Sequence, residues 1–308
     1  MSNSSPSWLP MLALTLAMAL WSSAFIALKN ILAVWGPGQV IFARMLVASI
    51  CFLILLKYWR HIRYQAGDWR WLALMSLAEP CLYFSLEANA LTYTSAGQAG
   101  MVTATLPLMV SFTAFFMLGE RITSRQLFGF LLAISGVVWL TLAGDHQASA
   151  PAPLLGNLLE LGAMACASFY AVLLKKLSSR YSPLFLTAIQ AFTGVLFFAP
   201  MAWFEPVPLQ LGWQEFSYVL YLGACVTLGA YLLNNWAITK LPVTMAVAYS
   251  NLIPVFTLLL AYLLLGETMN SQQLLACGVV FAGVVLSQLR SRAALATAQP
   301  VATGGVTP

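Results

Sequence analysis

The chain has 308 residues, 61% of them hydrophobic and only 7% charged, with a mean hydropathy of +0.84 and a formal net charge of +5. So few polar groups cannot cover a water-facing surface, which excludes a soluble domain and requires an exterior that faces lipid. The basic excess does not point to nucleic acid, because the Lys and Arg sit in short loops between apolar runs and so report topology.

A helix that crosses ~30 Å of hydrocarbon at 1.5 Å per residue needs about 20 apolar residues. Taken in chain order, the segments that meet this are Trp8 to Leu28, Gly38 to Leu56, Trp71 to Leu91, Gln98 to Leu118 and Gln126 to Gly144. After a polar, turn-rich stretch they continue with Leu154 to Leu174, Pro183 to Trp203, Phe216 to Thr239, Val243 to Leu265 and Gln273 to Leu289. The first run is long enough to span and reads as a membrane helix, not a cleaved signal. With the amino terminus inside, the cytoplasmic loops carry Lys57, Arg60, Arg63, Arg70, Arg121, Arg125, Lys175, Lys176, Arg180, Lys240, Arg290 and Arg292, while the opposite loops carry only Lys29. That asymmetry predicts a multi-pass protein of the cell inner membrane with both termini in the cytoplasm.

Pro107 to Leu140 reappears as Pro254 to Ser287 at a constant offset of 147 residues without a gap, and the first and sixth spans correspond at an offset of 146, as in Ser22 with Ser168. Each copy holds five spans, an odd number, so the second copy enters the membrane upside down. The loop GERITSR of copy one becomes GETMNSQ in copy two, losing Arg121 and Arg125. The predicted fold is an all-α integral membrane protein of ten transmembrane helices in two inverted five-helix repeats. Residues 1–144 form the first, 145–153 an external linker, 154–292 the second and 293–308 a disordered cytoplasmic tail.

A charge at membrane depth costs roughly 2.5 to 3.5 kcal/mol on insertion scales, so it needs a partner, a wet cavity or a function. Arg44, Glu79, Glu87 and Glu160 are the cases here, and they are the candidates for gating or coupling. Glu79 precedes Pro80, and Glu79, Tyr83 and Glu87 recur at i, i+4 and i+8 on one inward face. Arg44 and Glu87 sit at similar depth, so an ion pair is feasible, either clamping adjacent helices or gating. The repeat sets Gln190 opposite Arg44 and Asn234 opposite Glu87, both neutral.

Trp21 beside Ser22 either stacks on the apolar part of a ligand or fills a helix crossing. Pro107 and Pro254 interrupt corresponding helices, which in transporters marks the central site or else only bends a helix. The polar residues near them, Gln98, Thr103, Tyr249 and Asn251, are candidate substrate contacts, as are Asn234 and Asn235 on a stripe with Thr227 and Tyr231. Gly129, Ala133, Gly136, Gly278, Ala282 and Gly283 are small enough for close helix contacts, in the scaffold or in a homodimer. The five cysteines lie singly in apolar segments, which predicts no disulfide framework, metal site or cofactor. The aspartates, Asp68 and Asp145, and the histidines, His61 and His146, fall outside the spans, so no catalytic constellation forms and an enzyme is disfavoured.

The LGE turn that follows a mid-helix proline in each half (Leu118, Gly119, Glu120; Leu265, Gly266, Glu267), the trailing GVV at Gly136 and Gly283, and Trp21-Ser22 resemble the EamA-type branch of the drug/metabolite transporter superfamily. The resemblance implies an inner-membrane carrier whose cavity is lined by helices one, three, four, six, eight and nine and which exports amino acids or related metabolites. Its partners would be a small molecule, the bilayer and, through Glu79, protons or a cationic substrate. A passive channel, or uptake of a drug-like or vitamin-like metabolite, is compatible with the same residues.

Overall fold

The computed structural model describes residues 8–59, 62, 64–119, 122–144, 150–206, 212–238, 240–241 and 249–288. The expected tail at 293–308, most of the linker at 145–149 and the start of the ninth predicted span at 243–248 lie outside the described residues. Those described are helical almost throughout, with no strand longer than a single bridge. The longer helices, in order, are α1 (Trp8–Ile31), α2 (Pro37–Ile54), α3 (residues 69–93), α4 (residues 96–118) and α5 (Ser124–Leu142), with a four-residue helix, Leu56–Trp59, after α2. The second set is α6 (Pro153–Leu177), α7 (Pro183–Phe204), α8 (residues 213–238), α9 (Leu252–Leu265) and α10 (Ser271–Gln288). Eight of these are long and apolar enough to cross a membrane; α9 is shorter, and α3 is broken at Glu79 and Pro80. Ile54, Leu142, Leu196 and Phe204 are among the large apolar side chains left exposed, as lipid-facing positions must be.

The helix ends follow local sequence rules. Thr123 and Gln126 close a reciprocal capping box at the start of α5, and Ser182 Oγ accepts the Phe185 amide 3.3 Å away at the start of α7, where Pro183 occupies the first turn. Gly119 and Gly266, equivalent residues of the repeat, end α4 and α9 at φ of 69° and 65°. That left-handed conformation is one glycine adopts without a side-chain clash. The LGE turn therefore begins with a helix stop. Its acid also has a structural role in copy two: the Glu267 carboxylate accepts the amides of Ala96 and Gly97 at 2.9 and 2.8 Å and caps α4. Glu205, just past α7, caps α2 in the same way through Gly38 and Gln39, both at 2.8 Å. Negative charge at a helix amino terminus meets unpaired N–H groups and the positive end of the macrodipole.

Two further contacts join the copies. At the opposite end of the bundle, Arg180 Nη1 lies 2.7 Å from Asp68 Oδ1, and Tyr181 donates to Asp68 Oδ2 at 3.0 Å. The α5–α10 crossing is set by glycine. A Cβ on Gly283 would lie 2.6 Å from Ala133 N and Gly129 O, and one on Gly136 2.8 Å from Val280 N. Gly129, Ala133, Gly136 and Gly283 thus serve the scaffold within the chain. Gly278 and Ala282 do not: both are exposed, and Ala276 and Val280 take the buried positions expected of them, because the buried stripe of α10 runs through 276, 280 and 283. Gly283→Leu should therefore lower the melting temperature in detergent by the equivalent of about 1–3 kcal/mol or more of overpacking, whereas Gly278→Leu, facing open space, should leave it unchanged.

Candidate functional site

α3 and α8 each depart from regular α-helix at matching places, with wider π-turns at Leu77–Leu82 and Tyr221–Ala230. Pro80 supplies no N–H, and Glu79 leaves helical dihedrals altogether at φ −145° and ψ 121°. A neighbouring side chain takes up a backbone group at each departure. The Gln190 amide of α7 donates to the Glu79 carbonyl at 2.7 Å, and Thr227 Oγ1 donates to the Leu222 carbonyl at 2.9 Å while accepting Arg44 Nε of α2 at 2.9 Å. Gln190 and Arg44 are equivalent residues of the repeat. The two breaks are braced alike, with a neutral donor in one copy and a charged one in the other.

Between the breaks lies a chamber of about 220 Å³. Residues from matching positions of both copies line it: Trp21 with Ala167, Ala24 with Tyr170, Phe25 with Ala171, then Glu79 with Val226, Phe84 with Tyr231 and Glu87 with Asn234. Thr103 with Ser250 and Leu106 with Ile253 complete the set. Placement is symmetric, but size and charge are not. Trp21 is large where Ala167 is small, Tyr170 is large where Ala24 is small, and the wall charges Arg44, Glu79 and Glu87 come from copy one alone.

The charged groups are organised by tyrosines. Tyr231 donates to Glu79 Oε1 and stands edge-on to Trp21, with ring centroids 5.4 Å apart at 75°. Tyr83 donates to Glu87 Oε1 at 2.6 Å. Arg44 lies 4.2 Å from the Phe84 ring centroid. The Arg44–Glu87 ion pair that the sequence makes feasible is not formed: Arg44 turns to Thr227 and Phe84, Tyr83 takes one Glu87 oxygen, and Arg44 Nη1 and Glu87 Oε2 are buried without a partner. Glu160 is fully buried on α6 with neither carboxyl oxygen bonded, and it is not part of the wall.

Of the candidates, Trp21, Glu79, Tyr83, Thr103, Asn234, Arg44 and Glu87 meet at this chamber. Others sit elsewhere. Ser22 is fully buried, its hydroxyl 2.7 Å from Met18 O and 3.0 Å from Ile253 O, tying α1 to α9. Gln98 accepts from Asn157 at 2.9 Å in a buried polar knot with Thr94 and Thr141 and borders a second cavity beside Glu267 and Gln273. Tyr249 packs on the apolar clusters around Leu14 and Met18, and Asn251 bonds Gln288 at 3.0 Å. The Asn235 side chain lies outside the described residues. Tyr170, Phe84 and Asn157 were not singled out from sequence. Tyr170 had a signal, since it is the repeat equivalent of Ala24, one turn from Trp21; Asn157 had none.

A lipid-facing helical bundle around a partly polar chamber built from two copies of one unit is a multi-pass membrane transporter. The chain belongs to the EamA-like transporter family, which matches it twice, over residues 8–142 and 154–289. Among its relatives is the Bacillus subtilis uncharacterized transporter YetK, 30% identical over 219 residues that make up 69% of this chain and 64% of that protein. An uncharacterized transporter from Archaeoglobus fulgidus is 26% identical over 90% of this chain and 96% of its own. A Streptantibioticus cattleyicolor protein named a probable terminal-alkyne amino-acid exporter is 26% identical over 91% of this chain and 93% of its own. A solved crystal structure superposes with a TM-score of 0.63 over 92% of this chain and 97% of that one at 20% identity, a likeness of fold.

Tyr231→Phe removes the hydroxyl that holds the Glu79 carboxyl and leaves the Trp21 stack in place. Its stability should fall by only the roughly 1.5–3 kcal/mol of one hydrogen bond to a charged group, read as a small drop in melting temperature, while ligand binding at the chamber weakens; a variant that unfolds would contradict a site role for this bond.

Proposed function

We propose that this protein is a secondary-active carrier of the cell inner membrane that exports a small metabolite, an amino acid or related compound, by alternating access. Its two five-helix halves, residues 1–144 and 154–292, stand inverted in the bilayer as ten spans, with both termini in the cytoplasm. The observation that carries this reading is the paired lining: eight positions of one copy and their eight equivalents in the other border one chamber. Two units related by a pseudo-two-fold in the membrane plane present the same residues to the site from opposite directions, so rocking them exposes it to one side and then the other. The concentration of Lys and Arg on one set of loops supports the orientation. The amino-acid exporter among the relatives supports the substrate class and the direction. Glu79, Glu87 and Arg44 hold the ligand, and Glu160 couples the motion.

Two measurements check the reading. In proteoliposomes loaded with a mixture of unlabelled amino acids, a labelled amino acid of the same mixture should show saturable counterflow, and Glu79→Gln should reduce its rate at least tenfold with the protein still monodisperse. A channel gives no counterflow at all. Separately, single cysteines introduced at residue 4 and residue 300 should both react only with membrane-permeant reagents in intact cells; opposite accessibility of the two would refute the inverted halves.

A further inference from the structure

The chamber wall carries three charges, and among the described residues none of them is held in an ion pair. Glu79 and Glu87 are each held on one oxygen by a tyrosine hydroxyl, a neutral donor, and Arg44 is held by a threonine hydroxyl and an aromatic face. Burial is nearly complete, at 7%, 4% and 3% exposure. Arg44 Nη1 and Glu87 Oε2 have no hydrogen-bond partner. A buried charge without a paired counter-charge is costly, and among the described residues neither acid forms an ion pair with Arg44 or any other cation. A ligand that enters the chamber can complete the set.

The residues specify its chemistry. Glu79 and Glu87 are held by different tyrosines, Tyr231 of α8 and Tyr83 of α3, so they offer two separate acceptor points for cationic groups. Arg44 leaves one guanidinium N–H group free for an acceptor. Between these lie the rings of Trp21, Tyr83, Phe84, Tyr170 and Tyr231, surfaces that take an aliphatic stem and attract a cation to their faces. The volume, about 220 Å³, falls below the roughly 300–1,000 Å³ usual for drug-sized ligands. We infer that the chamber is built for a small molecule with two separated cationic groups and one carboxylate, a basic amino acid, whose single net positive charge offsets the single net negative charge of Arg44, Glu79 and Glu87. The inference deepens the proposed export function and rests on it for transport, but not for binding.

Because Gln190, Val226 and Asn234 replace the three charged residues in copy two, all of the ligand's ionic contacts belong to the first half. The second half contributes shape and the Tyr231 and Asn234 polar groups. A proton on one acid would be the rival way to balance the wall, and it would make the chamber indifferent to ligand charge.

The test is equilibrium binding of tritiated L-lysine to the purified full-length chain in nanodiscs, with competition by unlabelled L-arginine, L-leucine and L-glutamate. Saturable binding is expected, with arginine competing within a few-fold of lysine and leucine and glutamate at least tenfold worse. Glu79→Gln and Glu87→Gln should each weaken lysine at least tenfold while remaining monodisperse. Because the order of competitors is read on the unaltered protein, the inference stays testable even if a variant misfolds. No saturable lysine binding, or leucine competing as well as lysine, overturns it. Counterflow of leucine without lysine binding would leave the carrier reading standing and remove this one; lysine binding without counterflow of any amino acid would do the reverse.

Discussion

Hydrocarbon offers the backbone nothing to bond to, so a helix in this chain can be interrupted only where a side chain accepts the freed group or donates to it. The rest of the site depends on that constraint. Gln190 meets the Glu79 carbonyl and Thr227 meets the Leu222 carbonyl. With those two bonds in place, α3 and α8 can widen without exposing unpaired groups, and the space between them becomes polar enough for Glu79, Glu87 and Asn234. Arg44 then serves Thr227 through Nε, while its Nη1 is left without a hydrogen-bond partner.

The duplicated unit explains why the chamber is where it is, and the differences between the copies explain what it can hold. Eight equivalent pairs border it, yet an acid in one copy corresponds to valine or asparagine in the other, and Trp21, Phe25 and Tyr170 each correspond to an alanine. Exchanging large for small at equivalent positions keeps the volume filled while making the cavity asymmetric. A ligand in such a space has one preferred orientation.

Much of this was readable from residues. The offset of 147, the lipid-facing composition, the stop at Gly119 and Gly266 and the inward face of Glu79, Tyr83 and Glu87 all follow from spacing and chemistry, and the structure brings that face to the chamber. What could not be read is where a side chain turns once several partners compete for it. Arg44 lay at a depth that allowed Glu87 but bonds Thr227 in a different helix. Ser22 adjoins Trp21 in sequence, but 100° of helix rotation sends it to the Ile253 carbonyl. Gln98 is polar and near a central proline, but Asn157, from the other copy, claims it. These outcomes depend on which helices become neighbours, and a pattern along one chain does not carry that.

The two carboxylate caps also bear on how such a molecule deforms. Glu205 ties the end of α7 to the beginning of α2, and Glu267 ties the end of α9 to the beginning of α4, each through paired amide bonds at one pole of the bundle. Gly100 of α4 also rests directly against Thr257 of α9, where a Cβ would lie 2.4 Å away. Breaking either joint would strand a charge and two amides together. The two caps thus staple helices of different copies together, α2 with α7 and α4 with α9, so a rocking of one copy against the other at that pole would have to carry both joints along or release two carboxylates from four backbone amides.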